Sequence, residues 1–417
     1  MSHSAAGPEQ TSTGSARRDQ LVTLLVVVWA AIAFQLRITV SPQVMNTAMN
    51  YTSEGGAFIE KLHFGTYAVF LLLPLALFAR PFQLRGEEIG LFRMLVRYGI
   101  ALTALIALVV LTGRAGSSGF VIDTYLVAGA AGLIMLTITV AHRRLMGDIT
   151  VMLLIASALI GILEAVTRQR ILPYDLVEAQ FRPIGLSVHP LALGALCAAG
   201  IGFVALTRWR VWIRLACMIV LFIGAAASGA RLAFLLSGVE VLLLLWLVRW
   251  PRLAPRQELL AKSLLSLLAF VAGAGLIAAL FAGGLLNRFS GTLFDENFMA
   301  RVTIYRVFEF VGWREIMLGM NVDDLLTIVR EKLHLPYIES APVVLILLFG
   351  LPVAIAFVFV VFRMLFGLLR GMPVPAWIGT IVFLLAALSN NTLSSKTPEI
   401  LMLVVLLLAY RPQPRGR

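Results

Sequence analysis

Charge is what this chain has least of for its size. Only 13% of its 417 residues are Asp, Glu, Lys or Arg, against about 25% in a typical soluble domain. A chain this long with so little charge cannot present a water-compatible surface, which excludes a soluble enzyme, a coiled coil and a disordered chain. Cysteine is nearly absent as well. Cys197 and Cys217 both lie in apolar runs and form no CxxC or metal-type spacing, so they read as small buried hydrophobes. The polar segments hold no His/Cys cluster and no spaced DxD-type pair, since Asp323-Asp324 is adjacent. Neither a metal nor another cofactor is expected. The first residues lack the compact basic start of a cleavable signal peptide. They read as a disordered cytoplasmic tail, 1–19, in which Arg17 and Arg18 hold the first span's start inside.

What is abundant is hydrophobicity. Apolar residues make up 60% of the chain and the mean hydropathy is +0.92. That content at this length places the chain in a bilayer. Twelve apolar runs have the length of spanning helices: 20–38, 63–79, 94–112, 119–141, 149–166, 185–206, 211–228, 231–248, 259–286, 342–363, 374–390 and 398–410. They are continuous rather than alternating with period two, so they predict helices, not barrel strands. The expected fold is an all-α polytopic membrane protein of about 12 transmembrane helices, one membrane domain over 20–410 and a short tail, 411–417.

The net charge of +12 would point to nucleic acid in a soluble protein. Here it reads as topology. With Arg17 and Arg18 inside, the cytoplasmic segments hold 20 of the 34 basic residues. Both termini are then expected in the cytoplasm, and no nucleic-acid partner is implied.

The external (periplasmic) side carries one large loop, 287–341, between spans nine and ten. Its stretch 301–318 places Val302, Tyr305, Phe308 and Trp313 among charged residues, the pattern of an amphipathic helix. A second helix is expected after Asn321, with Asp323 and Asp324 in its first turn, Arg330 and Lys332 near its end and Pro336 as its stop. Such helices would lie on the membrane surface and roof a cavity.

External arginines run against the positive-inside tendency, so each asks for a reason. Arg182 opens the segment RPIGLSVHP, whose His189 lies seven residues on, two turns away on a helix. Arg231 follows the tight turn SGA, and Arg301 and Arg306 sit on the first loop helix. Guanidinium stays charged and binds phosphate bidentately, so arginines converging on one face suit a diphosphate; pairing with local carboxylates or lipid headgroups is the plainer reading of each alone. His189 reads either as a helix-to-helix hydrogen bonder or as a proton carrier. Glu240 lies mid-span, where a carboxyl is paired or functional. Glu339, just before Pro342, stands where the loop meets the membrane and could deprotonate a hydroxyl, or cap the helix start.

Three short segments carry a family resemblance: RPIGLSVHPLALG (182–194), SGARLAFLLSG (228–238) and YIESAPVVLILLFGLP (337–352), with the turn SNNTLSSKTPEI (389–400) before the last span. Together with the late external loop, this set resembles the bacterial O-antigen ligase and Wzy-type polysaccharide polymerase superfamily, over about residues 150–410. The resemblance implies an inner-membrane glycosyltransferase of exopolysaccharide or O-antigen biosynthesis, without metal or cofactor. It implies an undecaprenyl-diphosphate-linked oligosaccharide donor, a glycan acceptor, and chain-length regulator and flippase proteins as partners. Arg182, Arg231 and Arg301, with Arg306, would hold the diphosphate, and Glu339 and His189 would be catalytic. In ligases the closing polar pair begins with His; here it begins with Glu339, which shifts the expectation from ligase to polymerase. Transfer to a lipid or protein acceptor is the first alternative. Transport or flipping of lipid-linked sugars is the alternative from another class, though the largest loop follows span nine rather than span six.

Overall fold

The computed structural model describes residues 10–47, 49, 51, 62–84, 86–114, 118–174, 181–250, 253–282, 299, 302–335, 338, 340–389 and 391–412. Among them all regular structure is helical. The apolar helices are α1 (Gln10–Thr39), α2 (Phe64–Phe78), α3 (Glu87–Leu111), α4 (Val127–Thr137), α5 (Val140–Thr167), α6 (Pro190–Val204), α7 (Val211–Ala227), α8 (Arg231–Leu247) and α9 (Pro255–Ala282). After the loop come α10 (Trp313–Leu318), α11 (Val322–Leu333), α12 (Ala341–Phe349), α13 (Leu351–Leu369), α14 (Val374–Leu388) and α15 (Glu399–Ala409). Five helices (α1, α3, α5, α9 and α13) are long and apolar enough to cross a membrane, and several shorter apolar helices accompany them. The chain is thus an all-α protein suited to a lipid bilayer.

The helices run up and down between two chemically different ends. At one, which we call the basic end, cationic side chains close helix C-termini. Arg143 donates to the Ile138 and Leu136 carbonyls and bonds Glu88 at 2.5 Å. Arg80 donates to Thr137, Arg411 to Leu368 and Arg370, and Lys262 to Trp246 and Val248. Each satisfies carbonyls that a helix leaves unpaired in its last turn. The other, the loop end, collects the N-termini of α2, α6, α8, α13 and α15.

The centre is packed through small residues. A Cβ on Gly202 of α6 would lie 2.6 Å from Glu240 Oε1 and 2.6 Å from the Pro375 carbonyl, and one on Gly379 of α14 would lie 2.9 Å from the Ala199 carbonyl. Glycine therefore sets how closely α6, α8 and α14 approach around the buried Glu240. Gly202→Ala is expected to lower the thermal unfolding midpoint of the purified protein, by a free-energy cost of about 1–3 kcal/mol; an unchanged midpoint would show that the junction yields.

A polar hub ties the loop end together. Residues Val121–Leu126 form a π-helix, an uncommon geometry that turns successive side chains toward different partners. The Asp123 carboxylate accepts from the Tyr51 hydroxyl at 2.9 Å and the His63 amide at 3.1 Å, while its carbonyl accepts from Arg37. Thr124 donates to Ser395 and accepts from the Thr397 amide, and Tyr125 donates to Leu393. Burial first, and then the Asp123 carboxylate, push the Tyr51 phenol above its ordinary value, which keeps it the donor.

Three expectations need correction. The run 342–363 is not one helix: Gly350, at φ +83°, ends α12 and starts α13. The stretch 301–318 is not one helix either, but a 3-10 turn, Ile304–Glu309, and then the separate α10. Residues 182–189 precede α6 rather than belonging to it, so Arg182 and His189 do not share a helical face. The second loop helix is present as α11, with Asn321 at its cap position making no side-chain bond, and it ends at Leu333 on a left-handed His334 before Pro336 is reached. Pro336 itself lies outside the described residues.

Candidate functional site

At the loop end, the segments around Arg182 and Arg231 meet. The first cause is small residues. A Cβ on Gly194 of α6 would lie 2.6 Å from Ala230 Cβ and 2.7 Å from Ser228 Oγ, so only glycine lets the starts of α6 and α8 touch. Gly185 adopts φ +55°, and a Cβ there would lie 2.3 Å from the Ser157 carbonyl. A left-handed glycine is thus required where the chain turns into α6.

A buried carboxylate then fixes the incoming loop. Glu164, near the end of α5, accepts from the Ile171, Ile184 and Gly185 amides at 3.0, 2.8 and 2.9 Å. It is fully buried, and these charge-assisted bonds are what make a buried carboxylate tolerable. Ser157 adds an acceptor for the Leu186 amide. Arg170 donates to the Arg182 carbonyl through Nε and Nη2, with its guanidinium 4.1 Å from the Tyr174 ring and 5.0 Å from Phe181. Arg182 is held by its own backbone on one side and, on the other, donates from Nε to the Ser228 carbonyl at 3.3 Å. Ser228 Oγ accepts from the Ala230 amide, closing the turn that delivers Arg231 to the first position of α8.

His189 is the N-cap of α6, its Nδ1 accepting from the Leu191 amide at 3.2 Å, with Tyr174 6.2 Å away between ring centroids. An Nδ1 that accepts leaves the ring proton on Nε2. In this arrangement the ring offers a donor rather than a base.

Two helix N-termini, Arg182, Arg231 and the His189 ring thus share one locality, with Arg170 behind them. Helix starts favour anions through their unpaired amides and dipole, and guanidinium is the side chain best matched to phosphate oxygens. The chemistry of the locality is anion binding. Arg306 sits on the 3-10 turn, exposed and bonded to Glu309 at 3.3 Å. Arg301 and Glu339 lie outside the described residues. Among the described residues no group of His, Cys, Asp and Glu is arranged to hold a metal.

Sequence reasoning missed Glu164 and Arg170. Only the fit of Glu164 to three backbone amides, two of them about twenty residues on, reveals its part. Arg170 lies against the Tyr174 and Phe181 rings, both of which follow it in the sequence. No protein-family model matches this chain, and no curated protein matches it significantly.

Proposed function

We propose that the protein is an integral-membrane glycosyltransferase that joins undecaprenyl-diphosphate-linked repeat units into a polysaccharide. In this reading the loop end faces the outer side of a bacterial inner membrane, the basic end and both termini face the cytoplasm, and the apolar runs make twelve spans. The observation that carries it is the meeting of Arg182 with the Ser228 carbonyl, which brings Arg182 to the turn that opens α8, at whose first position Arg231 stands. A lipid diphosphate arriving from the bilayer would find its headgroup at that depth.

The step is a substitution. An acceptor hydroxyl oxygen bonds to the anomeric carbon, the carbon–oxygen bond to the diphosphate breaks, and the electron pair leaves with the diphosphate. The hydroxyl proton passes to a base, for which Glu339 is the proposed group. Charge grows on the leaving diphosphate, and fixed cations in a site of low water content stabilise growing charge most strongly. Nucleotide sugars are cytoplasmic, so a site on the outer side needs a lipid-borne donor.

A transporter would place a broken helix near the bilayer midplane. Here the break between α12 and α13 lies at the loop end, where Arg114, just past α3, donates to both the Leu318 and Leu348 carbonyls. The test is incubation of purified protein with lipid-linked oligosaccharide alone. A ladder of products is expected, and Glu339→Gln is expected to stop it. Transfer only on addition of a different acceptor would make the protein a ligase, and translocation in vesicles without any reaction would overturn the enzyme reading.

A further inference from the structure

A second polar site lies at the loop end, on helices that take no part in the arginine locality. A cavity of about 940 Å³ opens between the end of α3, the segment 310–321, α11 and the α12–α13 break. That is at the upper end of the range for ligand pockets, about 300–1,000 Å³. Its floor is apolar and comes from the outer turns of the helices: Leu108, Phe349 and Val353. Its rim is polar: Arg314, Glu315, Asn321 and Asp324.

The rim decides what kind of ligand fits. Arg114 also lines the cavity, but its Nη1 is committed to the Leu318 and Leu348 carbonyls and its Nε to Thr112. Glu315 folds back over Gly312, so closely that a Cβ there would lie 2.6 Å from Oε2. Asp324 stands in the first turn of α11, with Asp323 beside it. These carboxylates occupy the space, and answer the helix dipole, that a phosphate would otherwise use. A lipid phosphate would meet two like charges. A ring of hydroxyls meets no such penalty. Each hydroxyl both donates and accepts, and the rim offers carboxylate acceptors, a guanidinium donor and an amide that does both. The exposed Phe310 adds an apolar face.

We infer that this cavity binds a neutral, hydroxyl-rich sugar chain, the glycan portion of a lipid-borne substrate whose diphosphate and lipid lie outside it, with Leu108 and Val353 meeting the apolar faces of the sugar rings. The inference rests on the glycosyltransferase reading and adds to it a division of labour: diphosphate at the arginines, sugar on the carboxylate rim.

Leu318 is exposed and lines the cavity, whereas Leu235 is exposed on α8, away from it. The experiment replaces each in turn by the photo-crosslinker p-benzoylphenylalanine, irradiates membranes of the producing cells and weighs the adducts. Sugar-bearing adducts are expected at position 318, at least about tenfold above position 235. Asp324→Asn and Glu315→Gln are each expected to reduce them about tenfold, one charge-assisted bond of about 1.5 kcal/mol being lost. Asp323→Asn, in the same helical turn but not lining the cavity, is expected to leave them unchanged. Phospholipid adducts alone at 318, or equal yields at both positions, overturn the inference. The product ladder is read on the same crosslinker variants. Failure of the cavity with an intact ladder leaves the enzyme reading standing, whereas a missing ladder from the unsubstituted protein overturns that reading itself.

Discussion

Substituting Arg231 by Ala is expected to slow polymer formation by about 100-fold or more while leaving the protein folded. The magnitude is that of removing one fixed donor from a site where charge grows in the transition state, about 10²–10³. Arg231 is the cleaner position for the experiment. It stands at the start of α8 after a turn closed by Ser228 and Ala230, so its side chain can be changed without removing the turn's own bonds. Arg182 differs because its Nε also holds the Ser228 carbonyl, and Arg182→Ala would disturb the turn as well as the charge. Lysine at either position keeps the charge but loses the planar fork. Arg231→Lys is therefore expected to fall between wild type and Ala. The measurement is the initial rate with purified lipid-linked oligosaccharide, alongside the thermal midpoint. A rate within twofold of wild type for Arg231→Ala would remove the diphosphate site.

Glu164→Ala is expected to have the largest effect on stability. It leaves the buried Ile184 and Gly185 amides without their acceptor, and the part-buried Ile171 amide as well, and each amide orphaned in the interior costs about 1–3 kcal/mol. Partial relaxation of the loop brings the expected total to about 3–5 kcal/mol. Glu164→Gln should lie between. Its single carbonyl oxygen can replace Oε2 toward Ile184 and Gly185, but its amino group then faces the Ile171 amide, donor against donor. Activity and thermal midpoint should fall together in Glu164→Ala, whereas Arg231→Ala lowers activity alone. Equal midpoints for Glu164→Ala and wild type would show that water meets these amides and that the carboxylate does not hold the loop.

The helices were legible because hydropathy alone marks them, and among the described residues each apolar run contains helix. The break at Gly350 was not, since Leu347, Leu348 and Phe349 before it and Leu351 and Val353 after it are all apolar, and a hydropathy window reads straight through. A local signal was present: a glycine two residues before Pro352, which cannot continue the preceding helix's hydrogen bonding. At the candidate site, Arg182 and Arg231 stood out by charge on a side where charge needs a reason. Their meeting did not, because it depends on Gly194 admitting Ala230 and Ser228, a contact between residues that no spacing rule connects. Glu164 was hidden for the opposite reason. Its partners are backbone amides, and amides have no letter in a sequence.

The π-helix hub also sets an order of assembly. Thr124 and Tyr125 emerge from the ribosome with the first third of the chain, yet their partners Leu393, Ser395 and Thr397 lie 268 to 273 residues later. Until the final hairpin is threaded into the membrane, two hydroxyls sit at the loop end without their acceptors, and the 391–399 turn has nothing to dock on. Helices made early can insert as they appear, but the loop end closes only when the last helix arrives. A ribosome that stops before residue 391 therefore releases a chain whose first loop-end segments are incomplete, and quality-control proteases would meet it as a whole-protein defect rather than as a missing tail.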